Sequence, residues 1–150
     1  MLVPNYEPKF LVLCCNWCSY AGADLAGVSR LQMPPGFRVI RVMCSSRVKP
    51  EWVIKALMTG LDGVLVLGCH PGDCHYQTGN YHTRRRMTIT KKFLEYMGVE
   101  SQRVQVGWVS ASEGRKFAEV VTEVTKEMKE VGPNRLFTDE SQGNGTETAP

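Results

Sequence analysis

No run of about 18 consecutive apolar residues occurs in the chain, so a membrane-spanning helix is not expected. The opening residues, Met1-Leu2-Val3-Pro4-Asn5-Tyr6-Glu7-Pro8-Lys9, have neither the basic segment nor the long apolar segment of a secretory leader. The expectation is a soluble, cytoplasmic protein. A surplus of one charge sign is also missing. Lys and Arg number 18 against 15 Asp and Glu, and the net charge of +3 is too small and too interleaved to announce nucleic acid. No glycine-rich phosphate fingerprint follows a predicted strand, which leaves a nucleotide site without support. Ser110, Ser112 and Glu113 make no nucleophile–base constellation.

Cysteine, by contrast, is plentiful and confined to the first half of the chain. Cys14, Cys15 and Cys18 lie in Leu-Cys-Cys-Asn-Trp-Cys, Cys44 in Val-Met-Cys-Ser-Ser, and Cys69 and Cys74 in Gly-Cys-His-Pro-Gly-Asp-Cys. A reducing compartment does not sustain structural disulfides, so six thiols need another reason.

The apolar pattern predicts alternating strands and helices. A short apolar run from Phe10 to Cys14 reads as a buried strand, and Ser19 to Leu31 as a helix closed by Pro34-Pro35-Gly36. Phe37 to Met43 is a second strand, and a helix opened by Pro50 stops at Gly60. Gly63 to Gly68 is the clearest strand. Arg84 to Met97 is predicted as a helix with Met87, Ile89, Phe93, Leu94 and Met97 on an apolar stripe. Val104 to Val109 is the fourth strand, and Ser112, Glu113 and Phe117 to Met128 make a last helix with Ser110 or Ser112 as its N-cap and Gly132-Pro133 as its stop.

This alternation predicts one α/β domain over residues 1–137, an open, mostly parallel sheet of about four strands with helices on both faces, flavodoxin- or Rossmann-like. Residues 138–150 are too poor in apolar side chains to pack and are expected to be a disordered tail. In such sheets ligands bind beyond the C-terminal strand ends. Cys14/Cys15, Cys44 and Cys69 each end a predicted strand, so distant segments converge on one edge. A lone buried cysteine is ordinarily just a small hydrophobe, but three strand ends out of three argue for a site.

Structural zinc favours two close cysteine pairs, and only Cys15-Asn16-Trp17-Cys18 has that spacing. Iron–sulfur clusters accept more scattered thiolates. A thioredoxin-like couple of Cys15 and Cys18 is a third reading, which leaves Cys44, Cys69 and Cys74 unexplained.

Three strings carry a resemblance: Cys15-Asn-Trp-Cys18-Ser-Tyr-Ala-Gly-Ala-Asp24, Arg41-Val-Met-Cys44-Ser45, and Gly68-Cys69-His-Pro-Gly-Asp-Cys74-His-Tyr-Gln-Thr-Gly-Asn80-Tyr81. From about Lys9 to Gly132 the chain resembles the delta subunit of methyl-viologen-reducing hydrogenase. The resemblance implies a non-catalytic component of an oxidoreductase complex that carries one [2Fe-2S] cluster. It would pass electrons from a nickel–iron hydrogenase, with its small and large subunits, or from a formate dehydrogenase, to the FAD-bearing subunit of heterodisulfide reductase. The setting implied is a hetero-oligomer for electron bifurcation in methanogenesis. It further implies Cys15, Cys18, Cys44, Cys69 and Cys74 as cluster and metal ligands, one more than a four-ligand cluster requires. Cys14, one place earlier in a strand, should face the other way and pack. A thiol–disulfide oxidoreductase and a structural zinc adaptor remain the alternatives.

Other residues near the cysteines have two readings each. His70 and His75 suit either a mixed ligand set or, more commonly, hydrogen bonds to loop backbone. Trp17, Tyr76 and Tyr81 suit shielding of a cluster or anchoring of a partner. Arg84-Arg85-Arg86 at a helix start opposes the helix dipole and calls for a compensating negative charge, unless it is a solvated run. Gly68, Gly72 and Gly79 suggest tight turns that let backbone approach the site.

Overall fold

A computed structural model describes residues 5–136. Four strands, β1 (Phe10–Cys15), β2 (Phe37–Val42), β3 (Gly63–Gly68) and β4 (Val104–Trp108), alternate with four helices. These are α1 (Ser19–Val28), α2 (Pro50–Met58), α3 (Gly79–Tyr96) and α4 (Gly114–Val131). All strand pairings are parallel and the order across the sheet is β2-β1-β3-β4. This is the expected open α/β sheet, with the order of the flavodoxin-like class as far as its fourth strand.

Burial follows position in the sheet. Central β3, Gly-Val-Leu-Val-Leu-Gly, is buried at every residue, whereas edge strand β2 alternates. Val64 and Val66 point into one layer with Val53 and Leu57 of α2 and Met87 and Leu94 of α3. Leu65 and Leu67 point into the other, with Ala26 of α1 and Phe117, Val121, Val124 and Met128 of α4. Each of these β3 side chains contributes on the order of 2 kcal/mol through removal from water. Cys14 belongs to the α1/α4 layer, facing away from Cys15 as the strand period requires.

Chain order reverses between β1 and β3. From β1 the chain goes outward to β2, then returns across β1 to start β3 and continues outward to β4. Loops leaving the C-terminal ends of β1 and β3 therefore diverge and open a crevice between them.

At the opposite edge a polar lock joins the strand starts to the segment after α4. Arg103, only 2% exposed, donates to Glu100 Oε2 (2.6 Å), the Asp62 carbonyl (3.0 Å) and the Pro133 carbonyl (3.2 Å). The Asp62 carboxylate accepts the Lys9 and Asn134 backbone N–H groups at 2.8 and 2.9 Å.

Three expectations need correction. Helix α3 begins at Gly79, five residues ahead of Arg84, so the arginine triplet lies inside the helix and not at its positive end. Of the predicted apolar stripe only Met87 and Leu94 are buried; Ile89, Phe93 and Met97 are exposed. Helix α4 begins at Gly114 with Glu113 at the N-cap position, and neither Ser110 nor Ser112 caps it. The tail expected over residues 138–150 lies outside the described residues. No described helix is long and apolar enough to cross a membrane.

Candidate metal centre

The crevice between β1 and β3 is lined with sulfur. Cys15 is the last residue of β1, Cys18 takes the N-cap position of α1, and Cys69 directly follows β3. Their three Sγ atoms lie within 4.8 Å of one another, with Cys15 and Cys69 at 3.7 Å, and all three residues are buried. Among the described residues this is the only group of three or more His, Cys, Asp or Glu side chains drawn together so closely.

A buried serine sets the turn that brings Cys18 over Cys15. Ser19 Oγ accepts the Cys15 N–H at 2.7 Å and donates to the Leu67 carbonyl at 2.9 Å. The first turn of α1 is thus bonded to both β1 and β3, and the peptide groups left by the end of the strand are satisfied.

Cys44 and Cys74 are also buried and lie outside the triad, against the first residue of α3. A Cβ on Gly79 would overlap Cys44 Sγ and stand 3.0 Å from Cys74 Sγ. Both sulfurs border the space this glycine leaves, and their separation cannot exceed the sum of those two distances. Ser46 Oγ donates to Cys44 Sγ at 3.2 Å. The end of β2 also reaches the triad, for the Met43 carbonyl oxygen is 3.8 Å from Cys15 Sγ.

The first two turns of α3 fasten the cysteine loops to one another. Asn80, buried, donates through Nδ2 to the Cys69 carbonyl (3.1 Å) and the His70 carbonyl (2.7 Å). Thr83 Oγ1 shares a 2.7 Å hydrogen bond with Ser45 Oγ in the loop after Cys44. Arg86 donates to the Ser46 and Val48 carbonyls. The third arginine of the triplet is therefore a clamp on the Cys44 loop, while Arg84 and Arg85 face solvent.

Proton affinity is uneven across the triad. Cys15 falls to about 6, chiefly because the Cys18 thiol donates to it, with further bonds from the Trp17 amide, the Cys69 thiol and the Ser45 amide; burial opposes the drop. Cys18 is pushed up because its proton is shared with Cys15. Cys69 rises to about 11, burial being the largest cause. Negative charge in the triad is thus favoured on Cys15, which accepts from both other thiols. A soft cation would displace the protons that the triad shares. Cys14 rises to about 12 through burial, as suits a packed thiol with no part in the cluster.

Both histidines have partners outside the triad. His70 Nε2 is 2.7 Å from Glu113 Oε2, at the start of α4. The Glu113 carboxyl is held below its usual range, first by the Ser110 amide and then by His70. His75 stacks on Trp17 with ring centroids 3.8 Å apart, and Trp17 Nε1 donates to Tyr76 Oη at 3.1 Å. Trp17 and Tyr76 are exposed, so an aromatic patch spans the two cysteine loops. Tyr81 is exposed as well, on α3.

The donors fit an iron–sulfur cluster: they are all thiols, they are buried, negative charge is favoured on one of them, and the glycine cradle at Gly79 leaves room beside two more. Hard cations such as Mg2+ or Ca2+ prefer oxygen, and no side-chain oxygen belongs to the triad.

Fold and site together define a doubly wound α/β domain with a buried thiol cluster at its switch point, an arrangement compatible with metal binding. The model of the methyl-viologen-reducing hydrogenase delta subunit family matches residues 10–132, and the chain belongs to that family. It is 49% identical to the vhc iron-sulfur subunit of the F420-non-reducing hydrogenase of Methanococcus voltae, over 90% of this chain and 94% of that protein. The F420-non-reducing hydrogenase iron-sulfur subunit of Archaeoglobus profundus is also 49% identical, over 86% of this chain and 94% of its own length. A long polypeptide of the ferredoxin:CoB-CoM heterodisulfide reductase of Methanosarcina mazei is 47% identical over 84% of this chain, a match that spans 16% of that protein.

Of the five cysteines singled out in the sequence, the structure draws Cys15, Cys18 and Cys69 together and sets Cys44 and Cys74 beside Gly79, and sequence reasoning misses the residues that hold their loops: Ser19, Asn80, Thr83 and Arg86. Ser19 and Asn80 both sit in strings that carry the resemblance, and of the two only Asn80 has a usable signal, a carboxamide beside a glycine directly after the cysteine loop.

Proposed function

We propose that this chain is a non-catalytic electron-transfer subunit carrying one [2Fe-2S] cluster on four of Cys15, Cys18, Cys44, Cys69 and Cys74. It relays electrons from a nickel–iron hydrogenase, or a formate dehydrogenase, to the FAD-bearing subunit of heterodisulfide reductase. The complex is a cytoplasmic hetero-oligomer serving electron bifurcation in methanogenesis. The observation that carries the reading is the buried triad at the switch point, with two further buried thiols meeting at Gly79.

When bound, the cluster supplies a one-electron couple. The chain's own residues do the rest. Ser19, Asn80, Thr83 and Arg86 fix the loops that carry the sulfurs, and the Trp17 and Ser45 amides stabilise negative charge on Cys15. The exposed patch of Trp17, His75 and Tyr76 provides the aromatic anchors of a docking face beside the site. The match within a longer heterodisulfide reductase polypeptide supports that partner: a unit built into one chain in Methanosarcina mazei is here compared with a chain that matches iron-sulfur subunits nearly end to end. Burial argues against a thiol–disulfide oxidoreductase, since a disulfide substrate must reach the attacking sulfur and both Cys15 and Cys18 are covered.

Anaerobic purification with iron and sulfide analysis and visible spectroscopy tests the reading. Equal amounts of iron and sulfide are expected, with one of the five Cys→Ser variants keeping its cluster and the others losing it. Zinc without sulfide, or clusters retained in all five variants, would overturn it.

A further inference from the structure

Helix α3 turns one face to the sheet and leaves the other uncovered. Thr83, Met87, Thr90 and Leu94 are buried against the α2/α3 layer. On the opposite face Tyr81, Arg85, Ile89, Lys92, Phe93 and Tyr96 follow the three- and four-residue steps of one helical surface. Ile89 is 70% exposed, Phe93 53% and Tyr96 91%, so large apolar side chains stand in water beside cations. Scattered exposed hydrophobes are ordinary, but a row of them along one helix marks an interaction surface. A shallow cleft of about 490 Å3, lined by Tyr81, Arg84, Arg85, Thr88 and Ile89, lies at the end of the row nearest Gly79.

Charge indicates the occupant. The helix holds five Arg and Lys against one Glu, and no ion pair among the described residues involves it. A two-fold contact between copies of this chain would set Arg84, Arg85 and Lys92 against themselves, which like-charge repulsion disfavours. A partner with carboxylates around an apolar hollow satisfies both the cations and the exposed rings. Asn80, Thr83 and Arg86 clamp the Cys44 and Cys69 loops from the inner side of the same helix, so α3 joins the metal centre to this outer face.

We propose that the outer face of α3 is a docking surface for an acidic protein partner, distinct from the aromatic patch of Trp17 and Tyr76. The proposal rests on the relay reading, which requires two partners, one giving and one receiving electrons. The patch beside the sulfurs serves one of them, and α3 serves the other.

The test measures binding of the cluster-loaded chain to two purified partners from the same organism, the FAD-bearing polypeptide of heterodisulfide reductase and the hydrogenase small subunit. Wild type is compared with the double variants Ile89→Asp/Phe93→Asp and Arg85→Glu/Lys92→Glu. Each pair should weaken binding of one and the same partner by at least about tenfold while iron content is unchanged, and wild-type affinity for that partner should fall as salt rises. Unchanged binding of both partners overturns the proposal, as does wild type that binds neither. So does a wild-type homodimer, or binding to anionic vesicles, that the variants abolish. Iron content separates the two readings: an iron-free chain that still shows the α3-dependent binding sinks the relay, whereas a loaded chain with no such binding sinks only the docking surface.

Discussion

At the residue scale the centre depends on side chains with no redox chemistry of their own. Asn80 is the clearest case, because its single Nδ2 group satisfies the carbonyls of both Cys69 and His70 from the second position of α3. Asn80→Ala leaves two carbonyls short of a donor and should cost about 1–3 kcal/mol of stability. Urea unfolding of the cluster-free chain measures this, and a midpoint equal to wild type would show that the clamp is incidental. Cysteine position is legible in the sequence because a strand end can be read from an abrupt change of composition. The role of Ser19 is not. Its acceptor, the Leu67 carbonyl, lies 48 positions away, and no local pattern reports such a pairing.

The element with the strongest apolar signal, β3, agrees with expectation at both ends, whereas β1, β2 and β4 each end one residue away from it. The start of α3 escapes because Gly79 and Asn80 are weak helix formers and no side chain caps the helix there. Its outer face misleads for a different reason: Ile89 and Phe93 fit a helical period, and a period alone does not say which side the sheet is on. The glycine that hides the helix also gives a test whose sign is informative. Gly→Ala inside a helix ordinarily stabilises by about 1 kcal/mol. At Gly79 the added methyl meets Cys44 Sγ and Cys74 Sγ, so Gly79→Ala should instead destabilise the chain and lower its iron content. Higher stability with full iron loading would refute the close approach.

For the whole molecule, the two ends of the sheet are separate in function. The C-terminal strand ends hold the thiols, and the starts are held by Arg103, Asp62 and Asn134, about 20 Å away along six-residue strands. Arg103 gives no signal in the sequence, since a buried arginine cannot be told from a solvated one by composition. Arg103→Ala removes donors from two carbonyls and from Glu100, and a loss of about 2–4 kcal/mol is expected. Arg103→Lys should recover little, because an ammonium cannot span three acceptors. Iron content well below the melting temperature should match wild type in both, and thermal melts with iron analysis would show whether stability and the centre are separable in this way.

The position of the sulfurs along the chain also bears on how the molecule is made. Every cysteine and every clamp on its loops precedes residue 87, whereas β4 and α4 are synthesised later. A nascent chain that has emerged as far as α3 therefore presents a full complement of thiols while β3 still has an unpaired edge and lacks the cover of Phe117, Val121 and Val124. Its Gly-Val-Leu-Val-Leu-Gly run is then an apolar, uncharged strand of the sort that joins neighbouring chains. Stable loading of the proposed centre is accordingly expected only after α4 has left the ribosome. A chain ended at Gly98, ligands intact, should aggregate on expression, and a soluble, iron-loaded product of that length would show that the last third of the protein is dispensable to assembly.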